Sequence, residues 1–357
     1  IYVSFSGGKD SGLLLNMVLS YKRRNKIAKK IGVFHQDFEA QYQTTTDFVS
    51  RMFENNLRDI EPYWVCLPMG SRCAVSNYQM YWYPWDPDKE ELWVRPMPKM
   101  PYIINMDNNP FDFYRYKMVQ EDLYAEFGEW YSRQKKGKTI CLLGIRADES
   151  LNRYRAYAND RKTIMQGNQW TTKMGENWWN AYPIYDWTTK DVWIANGKFD
   201  YDYNRIYDLF WKAGLSISQM RVASPYHESA KESLNLYRVL EPATWVRVVS
   251  RVQGANFGAI YGSSHALGAR KIELPPGHTW RSYVKFLLAT LPEAMRRNYI
   301  EKFKTSIRFW WKKGGVVDEE AIKELEACNY PIRHNGKSNY KSNKEKIAFL
   351  GTPDHTD

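Results

Sequence analysis

Two short runs hold the residues best suited to chemistry: "SFSGGKDSG" at residues 4–12 and "GIRADES" at residues 144–150. In the first, Gly7 and Gly8 lack side chains, so the backbone can turn sharply and aim its N–H groups at an oxyanion. Lys9 adds a full positive charge, and Ser6 and Ser11 add hydroxyl donors. Asp10 is out of place beside a bare polyphosphate unless it caps the turn or helps to hold Mg2+. In the second run Arg146, with Arg153 and Arg155 following, is suited to bidentate contact with phosphate or sulfate. Asp148 and Glu149 either hold a metal or pair with those arginines.

The surrounding pattern says where these runs sit. "IYVSF" is a short β-prone run, and "SGLLLNMVLSYKRR" after the loop has helical spacing, with Ser11 expected as its N-cap. The helix would add the positive end of its dipole to the loop. "KIGVFHQDF", "YWVCLPM" and "KTICLLGI" read as further strands and "TTDFVSRMFENN" as a second helix. Strands alternating with helices predict an α/β fold, a parallel sheet with helices on both faces. Such sheets bind ligands beyond the carboxyl ends of their strands, where both runs fall. The Walker A and dinucleotide glycine patterns are both absent.

Residues 70–112 form an irregular insertion rich in aromatics and prolines, expected either as a lid near the site or as a packed excursion. In "YPIYDWTTKDVWIAN" a helix is expected to start at Thr188 or Thr189 with Asp191 in its first turn. "NRIYDLFWKAG" reads as a helix ended by Gly214. The predicted organisation is a nucleotide-binding domain over 1–240, a helical C-terminal region over 241–330 and a basic, mobile or partner-bound tail over 331–357.

Lys plus Arg outnumber Asp plus Glu by 51 to 40, a net charge of +11 that suits a polyanionic partner, from nucleotide to nucleic acid. The run "YKRRNKIAKK", together with Arg296, Arg297, Lys302, Lys304, Arg308, Lys312 and Lys313, could track a nucleic-acid backbone or form a solvated face. Cys66, Cys73, Cys141 and Cys328 make no disulfide framework, so a reducing cytoplasm is the expected compartment. No run approaches a membrane span and no signal peptide is visible, although the numbering opens inside a strand-like run without an initiator Met.

"SFSGGKDS" resembles the PP-loop of the N-type ATP pyrophosphatases and the PAPS reductase family. "GIRADESLNR" and "YPIYDWTTKDVW" are similar to that superfamily's second and third segments, in the same order over roughly residues 1–240. Within it the chain looks most like the PAPS-reductase-like branch of the immunoglobulin-binding regulator A type, whose members are associated with a ParB-like partner. The resemblance implies an adenine-nucleotide α-hydrolase-like, Rossmann-like sheet that binds ATP or a related adenylate. In ATP-using members attack falls on the α-phosphorus and pyrophosphate leaves. The nucleotide would then meet Ser6, Gly7, Gly8, Lys9, Asp10, Ser11, Gly144, Arg146, Glu149, Ser150 and Arg153, with Asp37 and Glu39 bordering the adenosine. Asp37 or Glu39 could equally cap the next helix. Lys9, Asp10 and Arg146 are the expected catalytic residues, and Asp10 with Asp148 the expected Mg2+ ligands.

The chain departs from the reductases in lacking their cysteine-bearing tail and any paired cysteines for an iron–sulfur cluster, so no cluster is expected. The intact Lys9–Asp10–Ser11 resembles the ATP-using members more than the reductases, which implies ATP rather than PAPS. The expected activity is ATP cleavage at the α-phosphate through an adenylylated intermediate. Two alternatives are a PAPS-binding enzyme using an external thiol, and a nucleotide-switched module acting with a ParB-like partner on DNA, in phage defence or regulation. His227 is either a general acid–base group or the satisfied opening of a helix.

Overall fold

Alternating apolar residues in the first strands divide between two cores. Tyr2 and Phe34 face one side of the sheet, against Leu123, Phe127 and Tyr131. Val3 and Val33 face the other, against Leu14, Phe48 and Val49. This two-sided burial is what a parallel sheet covered by helices demands. The computed structural model describes residues 1–76, 79–158, 162–217, 219–228, 230, 234–256, 274–337, 344–352 and 355–356. They belong to two compact units, Ile1–Arg270 and Lys271–Asp357.

The first unit opens with strand β1 (Tyr2–Ser4), helix α1 (Lys9–Arg24), β2 (Ile31–Gln36), α2 (Gln43–Glu54) and β3 (Ile60–Val65). After the insertion come α3 (Gln120–Lys135) and the strand Thr139–Leu143. The central sheet has seven strands. β1 pairs in parallel with β2 on one side and with Thr139–Leu143 on the other. Only the edge strand Thr171–Lys173 runs antiparallel, against Trp178–Ala181. The chain therefore leaves β1 towards one edge and later returns to its opposite flank, which opens a crevice beyond the carboxyl end of β1. The α/β architecture is the expected one.

One local expectation changes and two open alternatives narrow. Ser11 is not the N-cap of α1: the helix begins at Lys9, and Gly8 occupies the cap without a side-chain bond. The Ser11 hydroxyl instead accepts from the Ser6 N–H at 3.2 Å and lies 3.3 Å from the Gly8 carbonyl, to which it donates. Neither Asp37 nor Glu39 caps α2, whose first N–H groups, of Gln43 and Thr44, donate to Glu241. The insertion is a packed excursion, with Trp82 and Trp85 almost wholly buried.

The helix Pro242–Arg251 packs inside the first unit, placing Val248 and Val252 beside Ala40, Tyr42 and Tyr226. Residues 257–273, where the sequence continues that helical reading, lie outside the described residues. The second unit contains helices Trp280–Ala289, Glu293–Lys313 and Glu319–Ala327. It also holds an antiparallel three-stranded sheet of Gly315–Val317, Glu345–Phe349 and Ile332–Lys337. Part of the expected tail is thus strand, with the adjacent Ile347 and Ala348 both buried between polar flanks that conceal them in sequence. The lysine-rich residues 338–343 lie outside the described residues. No described helix is long and apolar enough to cross a membrane.

Candidate functional site

The loop between β1 and α1 takes its shape from its neighbours. Gly7 has φ +77, a left-handed conformation, and a Cβ there would meet Val49 Cγ2 at 2.9 Å, so a side chain would be strained and crowded at once. Asn204 Nδ2 donates to the Gly7 carbonyl and to Thr45 Oγ1, both at 2.9 Å, fixing the loop to α2. Gly144, at the exit of Thr139–Leu143, is just as constrained: a Cβ would lie 2.8 Å from the backbone of Asp10 and Ser11. The two runs singled out in sequence therefore touch backbone to backbone.

At the start of α1 the Gly7, Asp10 and Ser11 N–H groups have no protein acceptor among the described residues. The Lys9 N–H is bonded, donating to the Tyr207 hydroxyl at 3.0 Å. Free N–H groups at the positive end of a 16-residue helix make an anion site. Lys9 Nζ lies 3.0 Å from Asp10 Oδ2, and both side chains are largely buried.

Lys9, Asp10 and Ser11 border a cavity of about 610 Å³, within the usual range for small-molecule sites, whereas Gly7 shapes the loop without lining it. One wall is Ser6, Gly8, Lys9, Asp10 and Ser11, and another is Gly144, Glu149 and Arg153. Phe34, Tyr124 and Trp178 supply aromatic surface, and Tyr207 and Arg221 come from outside the three resembling segments. Phenylalanine, tyrosine and indole faces suit a nucleobase. Arg153 pairs with Glu149 at 2.5 Å, and Arg221 donates to the Glu149 carbonyl at 3.4 Å.

Arg146 is placed differently from the expectation. It is 1% exposed and does not line the cavity. Its Nε donates to Asp10 Oδ1 at 2.6 Å, and its terminal nitrogens reach Asp148, the Trp187 carbonyl and Thr189 Oγ1. Burial works against its charge, but Asp10, Asp148 and Glu149 outweigh that and hold its pKa above the ordinary value. Arg146 therefore clasps all three sequence segments together. The helix Thr189–Lys198 is itself fixed by a capping box between Thr188 and Asp191.

Of the two expected Mg2+ ligands, Asp10 and Asp148, each turns one carboxylate oxygen to the Arg146 guanidinium. Among the described residues no cluster of three or more His, Cys, Asp or Glu side chains could hold a metal. Ser150 is exposed and accepts from the Arg153 N–H, and the Arg155 side chain lies outside the described residues.

Asp37 and Glu39 do not reach the cavity; both are wholly buried. Asp37 pairs with Arg95 and accepts from the Trp64 indole at 2.8 Å. Burial disfavours its charge, yet Arg95, His35 and Trp64 together hold its pKa below the usual value. Glu39 forms a bidentate pair with Arg251 at 2.9 and 3.1 Å and accepts the N–H groups of Trp85 and Val94. Both carboxylates thus tie the insertion to the sheet. The insertion lines none of this cavity and instead borders a separate hollow of about 940 Å³ with Arg247. His227 is exposed and also lies outside the cavity lining.

Cys141 lines the cavity but is 4% exposed, and burial pushes its thiol pKa up to about 12. It stays protonated and unreactive. Iodoacetamide at pH 8 is expected to label exposed Cys328 in the native protein and leave Cys141 unmodified until denaturant is added. Peptide mass spectrometry reads this directly, and rapid native labelling of Cys141 would refute it.

Tyr207, Asn204 and Thr45, like the cavity residues Phe34, Tyr124, Trp178 and Arg221, are site residues that the sequence did not reveal. Tyr207 lies in an aromatic helix whose apolar face reads as core, and Asn204 precedes it without any motif.

Comparison with known proteins comes from several directions. Residues 214–357 match a family described as a domain of unknown function, DUF3440. The uncharacterized protein YbdN of Escherichia coli K12 is 35% identical over 336 residues, spanning 93% of this chain and 80% of that protein. Among solved structures, the PAPS reductase from Candida auris in phosphate complex is 13% identical with a TM-score of 0.30, over 58% of this chain and 76% of that one. The U34-tRNA thiolase NcsA from Methanococcus maripaludis, with its 4Fe–4S cluster, is 11% identical with a TM-score of 0.32, over 73% and 71%. Likenesses at these scores decide nothing about ligand or reaction.

Proposed function

The chain belongs to the family of the Escherichia coli protein YbdN, and from that footing we propose that its glycine loop binds ATP or a related adenylate for cleavage at the α-phosphate. The observation that carries this reading is the set of unpaired N–H groups of Gly7, Asp10 and Ser11 beside Lys9, at a helix start that opens into an aromatic-walled cavity. The donors are fixed in place before any ligand arrives, which is the condition for strong stabilisation of developing charge.

In the proposed reaction an acceptor nucleophile attacks the α-phosphorus. The bond from that phosphorus to its bridging oxygen breaks, and the electron pair leaves with pyrophosphate. Lys9 and the free N–H groups hold the departing β- and γ-phosphates, where negative charge accumulates. The acceptor becomes adenylylated. Phe34, Tyr124 and Trp178 hold the base. The alternative is a PAPS-binding enzyme using an external thiol; the cavity's own thiol, Cys141, stays protonated and would not supply it.

The test is pyrophosphate release from ATP together with calorimetric binding. Lys9→Ala is expected to cut release by about 100-fold or more, the usual cost of removing one preorganised charge-stabilising donor. ATP affinity without any pyrophosphate release would replace catalysis with a nucleotide-switched module, for which a ParB-like protein and DNA are the partners to add. Absence of ATP and PAPS binding to folded protein, with and without Mg2+, would refute the reading.

A further inference from the structure

Tyr207 holds a position at the site that no sequence motif assigns. It lies on the short helix Ile206–Lys212, nearly 200 residues from the loop, yet its hydroxyl accepts the Lys9 N–H at 3.0 Å. The ring also lies under Lys9 Nζ, 5.8 Å from its centroid. A Cβ built on Gly8 would come within 3.6 Å of the same hydroxyl. Tyr207 is 4% exposed and lines the cavity.

The bonding at that oxygen is incomplete in an informative way. A phenol can accept and donate. Tyr207 accepts from Lys9, but its own hydrogen has no acceptor among the described residues. Burial, joined by the nearby Asp10 and Glu149 carboxylates, pushes its pKa upward, so the hydrogen stays on the oxygen. A hydroxyl that receives one hydrogen bond donates a stronger one, because the chain polarises. The result is a fixed donor on the cavity wall, beside the three free N–H groups of the loop.

We propose that the Tyr207 hydroxyl donates a hydrogen bond to a phosphate oxygen of the bound nucleotide, completing the loop's anion site from a part of the chain outside all three segments. The proposal rests on the reading of the cavity as an adenylate site and adds a binding residue to it. Its ligand chemistry is the phosphate chain rather than the adenosine. The Lys9 N–H keeps the phenol oxygen oriented, while Asn204, three residues earlier, ties the same segment to the Gly7 carbonyl. One short stretch of chain therefore both braces the loop and adds a donor to it.

The experiment compares the full-length wild type and Tyr207→Phe by calorimetry with three probes: ATP, inorganic pyrophosphate and adenosine. Phenylalanine keeps the ring and removes only the hydroxyl. Affinity for ATP and pyrophosphate is expected to fall about tenfold, the range for one hydrogen bond to a charged group, with adenosine affinity unchanged. A purely bracing tyrosine would lower the melting temperature of the ligand-free protein and weaken all three probes alike, which would overturn the proposal. Unchanged pyrophosphate affinity in the variant would also overturn it while leaving the cavity assignment intact. Failure of the wild type to bind either ATP or pyrophosphate would overturn both.

Discussion

Glu39→Ala is expected to destabilise the first unit by about 3–5 kcal/mol, the cost of stranding one partner of a buried ion pair. The residue is fully buried and its partner Arg251 nearly so. Each Glu39 oxygen accepts one backbone N–H, from Trp85 or Val94, and one arm of Arg251. Arg251 is further engaged by the Tyr83 carbonyl at 2.6 Å. Removing the carboxylate leaves a buried cation and two buried N–H groups without acceptors, each N–H costing about 1–3 kcal/mol if it stays dry. Glu39→Gln is expected to recover only part of the loss, since it restores an acceptor but not the charge. Urea unfolding followed by tryptophan fluorescence measures both. A change below about 1 kcal/mol for Glu39→Ala would mean that water reaches the pair after substitution, at odds with the packing described above.

The second large effect concerns Arg146. Arg146→Lys is expected to lower ATP affinity by about tenfold or more and to destabilise the protein by about 2–4 kcal/mol. Lysine keeps the charge but cannot span Asp10, Asp148, the Trp187 carbonyl and Thr189 with one ammonium group. Because Arg146 acts through Asp10 rather than on the ligand, the melting temperature and nucleotide affinity should fall together. Lys9→Ala separates the two readouts: pyrophosphate release drops much further than the melting temperature, because Asp10 keeps its pairing with Arg146. Equal behaviour of the two variants would remove the distinction between a positioning arginine and a phosphate-binding lysine.

The loop and four of the seven sheet strands were legible because their signals are local, whereas Ile103–Ile104, Thr171–Lys173 and Trp178–Ala181 are too short to stand out. Gly7 and Gly8 follow a strand-like run and precede a helical one, so loop, strand end and helix start can be read from about twenty residues. The closeness of "GIRADES" to the loop followed from the parallel-sheet rule. The roles of individual charges were not legible. Arg146, Asp37 and Glu39 belong to residue types that bind nucleotides elsewhere, and only burial and partner distances show them engaged with Asp10, Arg95 and Arg251. Those partners lie 136, 58 and 212 positions away, beyond any periodicity in the sequence. Tyr207 was hidden for the opposite reason, since its aromatic neighbours made it look like ordinary core. The strands of the second unit were missed because Lys, Asn and Ser flank their few apolar residues, which made the whole segment read as a solvated tail.

The Glu39–Arg251 pair also bears on the order of events at the ribosome. Every strand of the central sheet has been synthesised by residue 181, and a nascent chain of that length already contains the glycine loop. Its Glu39 must wait for the arginine about seventy residues further along, which is several seconds or more at typical translation speeds. Until then the carboxylate has to remain hydrated, holding that side of the molecule open. A fragment ending near 240 would carry the whole sheet and leave Glu39 without Arg251.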